Sequence, residues 1–389
     1  MGRDDAPRDR GGAGDVDRRT GNRAGADGRT DRTRRTEGDR EGHTLRPEGR
    51  TEGCREDGST RGARRHPSVR SLTMNAGELI ETFTSMASTV TLRVVGPTPG
   101  AREALAEARR IVEDVAAACT RFDPTSPLMR ANADPTSWHI VPRVCADAIA
   151  AAHEAHVTTE GRFDPRILTQ LQRDGYAAAR SFSESPIVGS EQEHTAQAAR
   201  APWEPSFEGR SVRIGDEPID LGGIGKGLAV RWAAEALAGA GDGILVDAGG
   251  DLVARGASPD GGPWLIGVEN PWDASGDPLV VLDATDAAVA TSSIRLRSWE
   301  HAGRVRHHLI DPRTGEPGGA GLVSVTVIGA DPADAEVWSK TLFLEGASGI
   351  ERAALDRRLS AVWVDMHGGI GMTPGAEARV IWKVSHADH

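Results

Sequence analysis

The chain has 389 residues, with 46 Lys plus Arg against 57 Asp plus Glu, a formal net charge of -11 and 4% aromatic residues. This acidic balance argues against a nucleic-acid partner for the protein as a whole, so a polyanionic ligand would need a local cationic site. No apolar run is long enough to span a bilayer, the N-terminus lacks the apolar core of a signal peptide, and Cys54 has no apolar segment before it, so neither stable membrane insertion nor a lipid anchor is expected.

Residues 1–73 are Arg, Asp, Glu, Gly and Thr with almost no large apolar side chains. Burial cannot offset their ordering entropy, so a disordered tail is expected, with Met74 a candidate true start and the folded part running over 74–389. A short amphipathic segment then leads into STVTLRVVG, whose alternation predicts a strand. REALAEARRIVEDVAAACTRF carries apolar residues at helical spacing, DPTSPLMRAN reads as a turn with a polar return, and CADAIAAAHEAHVTTEGRF predicts a second helix ending at Gly161. From about Ser181 to Pro205 the sequence is polar and irregular, as a mobile excursion would be.

The C-terminal half alternates predicted strands (GILVDAGGDLVARG, WLIGVEN, LVVLDAT, AVATSS, HHLIDP, VSVTVIG, SAVWVDM) with predicted helices (GLAVRWAAEALAGA, DAEVWSKTLFL). Hairpin-like junctions among them favour an α+β fold over a doubly wound parallel sheet. Trp203, Trp232, Trp299 and Trp338 fall at core spacing. Cys54, Cys119 and Cys145 show no metal-ligand spacing, and their odd number points away from a disulfide framework and towards a reducing, cytoplasmic location.

Chemistry concentrates in DLGGIGKG, Asp220 to Gly227, which opens an amphipathic helix. Glycines let backbone N–H groups approach an anion, and a helix N-terminus favours negative charge, so the stretch is suited to cradling phosphate. Lys226 would be the point charge, in a chain whose lysines are Lys226, Lys340 and Lys383 alone. The spacing is neither a Walker A loop nor a Rossmann fingerprint, and taken alone such a stretch is more often just a tight turn. Downstream, VDAGGDL pairs two glycines between Asp247 and Asp251, and HHLIDPRTGEP crowds histidines, an aspartate and a turn.

These pieces, in this order, resemble the ApbE family of flavin transferases, FAD:protein FMN transferases. FTSMASTVTLRVV is similar to the family's opening strand with its Met-Gly-Thr signature, Ala87 and Ser88 standing for glycine and threonine. RFDPTSPLMRAN is similar to its Ser-Glu-Leu-Ser-Arg-Leu-Asn segment, with Pro127 in place of glutamate. GRFDPRIL, IDLGGIGKGLAVRWAAEAL, VDAGGDL, AVATSS (Ser293 where glycine is usual), HHLIDPRTGEP and SVTVIGADPADAEVWSKTLFLEG continue the series from Phe83 to the C-terminus.

The resemblance implies a compact ApbE-type, T-fold-like α+β domain and transfer of FMN from FAD to a Thr or Ser hydroxyl of an acceptor flavoprotein, releasing AMP. Met86, Arg162, Phe163, Asp164, Asp220, Lys226, His308 and Leu309 would contact FAD. Mg2+ would be held by the backbone oxygen of Gly223 and by two side chains of a late helix, where this chain has Glu336 for the usual aspartate and Lys340 for the usual threonine. An ammonium group there repels a cation, so Lys340 is expected to take over part of the metal's role, while Glu336 or Asp334 remains a candidate ligand. His308 is the candidate base or proton relay, with His307 expected on the exposed side of the strand and Asp311 and Thr314 shaping the turn. Hydrolysis of FAD to FMN and AMP, non-catalytic carriage of FAD, and a cradle for a different phosphate compound stay open at this level.

Overall fold

The computed structural model describes residues 71–75, 77–176, 200–273 and 276–384, all within one unit, Arg65–His389. Apolar runs of period two and continuous apolar runs supply nine strands to one sheet. Their order is Ser71–Asn75, Glu78–Ser85, Ser88–Val95, Gly243–Ala248, Leu252–Gly256, Ala288–Ser293, Leu322–Gly329, Ser360–Asp365 and Ile370–Met372. Neighbouring strands are antiparallel throughout.

Both faces of the sheet are covered. On one, helices Ala101–Cys119, Gly225–Ala236 and Pro332–Phe343 bury Val90, Leu92, Val94, Val246 and Val325. On the other, a small sheet of Leu265–Val268, Val280–Asp283 and Val380–Lys383 closes over Leu252, Val289, Ile328 and Val364. Leu322–Gly329 is accordingly apolar on both sides, LVSVTVIG, and buried at all but its last residue. A second core, built from Leu128, Ile149, Phe163, Trp203, Ile219, Leu221 and Ile224, lies beneath the glycine turn. Trp203 and Trp299 are buried, and Trp232 and Trp338 pack against the core, as their spacing predicts.

The strands and helices of the sequence reading largely form, with instructive exceptions. DPTSPLMRAN is a turn only at its start, where Ser126 N–H donates to Asp123 C=O at 3.0 Å; Pro127–Ala133 is helical, because Ser126 caps it by accepting from Met129 N–H at 3.1 Å and Pro127 sits at the first helical position. The helix Arg143–Thr158 stops before Gly161, with Glu160 left-handed at φ 55° and Gly161 N–H donating to His156 C=O at 2.8 Å. HHLIDP divides between Arg304–His307, which pairs with Ser298–His301, and the two-residue strand Ile310–Asp311. The expected boundary at 73/74 falls inside strand Ser71–Asn75, where Met74 pairs with Leu79. Most of the expected tail and most of the 181–205 excursion lie outside the described residues. No helix among the described residues is long and apolar enough to cross a membrane.

Candidate active site

The glycine turn is held from three sides. Asn132, at the end of the capped helix, pairs with the backbone of Ile219 through both its amide atoms, Nδ2 to O at 2.8 Å and Oδ1 from N at 2.9 Å. Asp220 N–H donates to Pro165 C=O at 2.7 Å, joining the turn to the Arg162-Phe163-Asp164 segment. Gly227 lies against the first turn of the late helix Pro332–Phe343, where a Cβ would come 2.6 Å from Ala333 Cα and from Pro332 O. This contact demands glycine and brings the two helices together.

Their approach creates the site's central interaction. Glu336, fully buried, accepts from Gly227 N–H at 2.7 Å through Oε2 and from Lys340 Nζ at 3.0 Å through Oε1. Burial disfavours its charge, but Lys340, Lys226 and the Gly227 N–H outweigh burial and hold its carboxyl below the usual range. Lys340 also runs over the turn, its Cδ 3.5 Å from where a Gly223 Cβ would stand, with the Phe163 ring 2.8 Å from the same point. Gly223, Phe163 and Lys340 are thus in one packed contact.

Lys226 projects from the first turn of its helix to an ion pair with Asp251, which is buried and also accepts from Thr291 N–H at 3.3 Å. Burial, reinforced by the charges of Lys340 and Arg297 against the pull of Glu336 and Asp247, lowers the Lys226 pKa to about 7. Asp220 is paired with Arg121 at 3.3 Å, and burial raises its pKa against the influence of Arg121, Gly222 N–H, Arg297 and Lys340. Arg121 in turn lies against the rings of Phe122 and Tyr176, 4.2 and 4.1 Å from their centroids.

The two histidines reverse the expected exposure. His307 is the buried one, edge-on to Phe343 and accepting from Leu309 N–H at 3.3 Å, and burial lowers its pKa to about 4. The strand Arg304–His307 ends there, so the two-face alternation of an extended strand does not govern His308. His308 is half-buried, its Nδ1 buried with no hydrogen-bond partner among the described residues. Burial, with the charges of Arg297, His307 and Lys340, keeps its pKa well below the ordinary imidazole value. Leu309 is core, and Asp311 and Thr314 shape the turn as expected, Asp311 accepting from Arg313.

The remaining candidates sit around this centre. Phe163 is buried under Gly223, its carbonyl accepting from His156 Nδ1 at 3.0 Å. Asp164 is engaged by Arg166 at 2.7 Å and Arg200 at 3.7 Å, and Arg162 by Glu345 at 2.7 Å. Met86 and Ala87 form the two-residue turn of the hairpin Glu78–Ser85/Ser88–Val95, both at positive φ (50° and 56°). That turn abuts the Asp247–Asp251 turn through Ser88 and Gly249. Arg121, His156 and Arg297 join the site without a sequence signal, since each is a lone residue of a common type.

The donor chemistry does not fit a divalent cation at the late helix. Mg2+ wants free oxygens, yet both oxygens of Glu336 are engaged and an ammonium group stands 3.0 Å away. Asp334 is exposed on another face, 3.4 Å from Arg231. Among the described residues no group of three or more His, Cys, Asp or Glu is arranged to hold a metal ion.

Comparison with known proteins matches this chain to one family. An FAD:protein FMN transferase of Klebsiella pneumoniae is 30% identical over 156 residues, covering 40% of this chain and 45% of the relative. One from Vibrio cholerae is 28% identical over 229 residues, 57% of this chain and 67% of its own length. The first of these alignments spans less than half of the curated relative it matches. The solved flavinyl transferase ApbE of Pseudomonas stutzeri superposes with a TM-score of 0.64 at 22% identity, covering 82% of this chain and 98% of the other, a likeness of fold. The ApbE family model matches residues 86–363, and the chain belongs to the ApbE family.

Proposed function

We propose that this protein is an FAD:protein FMN transferase, moving FMN from FAD to a Thr or Ser hydroxyl of an acceptor flavoprotein and releasing AMP. The observation that carries the reading is the convergence of a glycine turn, Lys226, Lys340 and the unpartnered Nδ1 of His308 in one partly buried centre. A diphosphate needs its charge neutralised while it is cleaved, and Lys340 supplies charge for that purpose together with Lys226, whose pKa of about 7 rises when an anion is bound beside it. Burial holds the His308 pKa well below the ordinary imidazole value, and its Nδ1 has no hydrogen-bond partner among the described residues, so this ring is our candidate for taking the proton of the attacking hydroxyl. The new O–P bond then forms at the FMN phosphorus as the bond to AMP breaks.

Met86, Arg162, Phe163, Asp164, Asp220 and Leu309 are the remaining FAD contacts of this proposal. Gly223, Glu336 and Lys340 stand where the family resemblance would put a Mg2+ ion; because Glu336 is committed to Gly227 N–H and Lys340, no step of the proposal passes through a metal. A cytoplasmic location belongs to the same reading, supported by Cys119 and Cys145 as free thiols. The test is product analysis with FAD, with and without an acceptor peptide, for wild type and His308→Asn. Flavin covalently on the peptide, lost in the variant, supports the proposal. Free FMN and AMP irrespective of acceptor would make the protein a pyrophosphatase, and FAD bound but returned intact would make it a carrier.

A further inference from the structure

The cations around the glycine turn are almost all committed. Arg121 is paired with Asp220 at 3.3 Å, Lys340 with Glu336 at 3.0 Å, and Lys226 with Asp251. On the loop that follows strand Ala288–Ser293, Arg295 is paired with Glu269 at 2.9 Å. Arg297, two residues on and half-buried, forms no hydrogen bond or ion pair from its guanidinium to any of the described residues.

Its position is fixed by its neighbours. The loop is pinned before Arg297 by Ile294, a core residue whose N–H donates to Val323 C=O at 3.1 Å. After it, Ser298 Oγ donates to Ile294 C=O at 2.6 Å, and the buried Trp299 donates through Nε1 to Asp174 C=O at 2.6 Å. Strand Ser298–His301 pairs with Arg304–His307 so that Ser298 lies opposite His307, which sets Arg297 beside His308 at the end of the ladder, and its charge is felt by Asp220, Lys226 and His308. Through that register, and through Ser292 Oγ at 2.8 Å from Ser339 Oγ beside Lys340, the loop is set against both the segment after strand Arg304–His307 and the late helix.

A half-buried guanidinium with no partner, delivered by a pinned loop to a centre where every neighbouring cation is paired, wants an anion of planar or forked geometry. We infer that Arg297 is a diphosphate-binding residue, its guanidinium gripping the phosphate oxygens beside Lys226 and Lys340, so that fixed side-chain charges hold the dinucleotide without a divalent cation. This inference rests on the FAD reading for the identity of the ligand, and on the loop geometry for the phosphate contact. One loop then serves two parts of the site, the guanidinium on the phosphates and the backbone beside His308.

The test measures binding of FAD, ADP and riboflavin to the full chain in EDTA, for wild type, Arg297→Gln and Arg297→Lys. Loss of one charge-assisted phosphate contact is expected to weaken FAD and ADP about 10- to 100-fold in Arg297→Gln, with Arg297→Lys between it and wild type. Riboflavin, which has no phosphate, is expected to keep its wild-type behaviour, and thermal unfolding of the variants to match wild type. Unchanged FAD and ADP affinities in Arg297→Gln, or wild-type binding of either only when Mg2+ is added, would overturn the inference. If wild type binds ADP in an Arg297-dependent way but shows no preference for FAD, the phosphate contact stands and the flavin reading falls. If wild type binds neither, both fall.

Discussion

Replacing Glu336 with Gln separates a fixed-charge site from a metal site. The carboxylate is fully buried and serves two donors, Gly227 N–H at 2.7 Å and Lys340 Nζ at 3.0 Å. A glutamine has one acceptor oxygen and one NH2 group, so it satisfies one donor and turns a second donor towards the other. Breaking a buried ion pair from one side costs about 3 to 5 kcal/mol. Lys340 and Lys226 retain some solvent, each side chain being 16% exposed, which moves the expectation to the lower end, about 3 kcal/mol. Denaturant unfolding of Glu336→Gln and wild type, each with EDTA and with Mg2+, reads this directly. The expected result is a midpoint loss of that size, with Mg2+ leaving wild type unmoved. A loss below about 1 kcal/mol, together with stabilisation of wild type by Mg2+, would refute the reasoning, because Glu336 would then be free for a cation.

Other consequences are as specific. Gly227→Ala should push the two helices apart and weaken the Glu336 contact, costing about 1 to 3 kcal/mol or more and reducing FAD affinity; unchanged melting and binding would contradict the packing. Ala87→Gly should stabilise by about 0.5 to 1 kcal/mol, since Ala87 holds φ 56° in a turn that glycine adopts without strain, and a melting temperature that does not rise would count against it. His307, with its folded pKa lowered by burial from the ordinary 6.5 to about 4, takes up a proton on unfolding between those pH values. Its contribution is therefore present above pH 6.5 and lost as pH falls towards 4, up to about 3 kcal/mol. His307→Asn should flatten the acid limb of the stability profile, and an unaltered limb would exclude His307 as its source.

Much of this fold was legible because its elements announce themselves locally. LVSVTVIG and the period-two strands declare a sheet, and the helical spacing of 101–119 declares a helix. The misreadings came where polar residues serve structure. Ser126 and Pro127 look like a turn but start a helix, and nothing local marks Asn132 as the residue that pairs with the backbone before Asp220. At the candidate site the local signals were the rarity of lysine, at Lys226 and Lys340, and the clustering of glycines around Gly223 and Gly227. Arg297 and Arg121 were not, since arginine is common along this chain and only the fold distinguishes a paired guanidinium from an unpaired one. The exposure of His307 and His308 depends on where a strand ends, a detail that alternation alone does not fix.

The measurement that bears most directly on the account is mass spectrometry of an acceptor protein carrying a target threonine, incubated with the full chain and FAD in EDTA, with AMP quantified in the same samples. The account predicts an FMN adduct on the threonine with AMP released in equal amount. An unmodified acceptor and intact FAD, with the adduct appearing only after Mg2+ is added, would contradict a diphosphate site built on Lys226, Lys340 and Arg297.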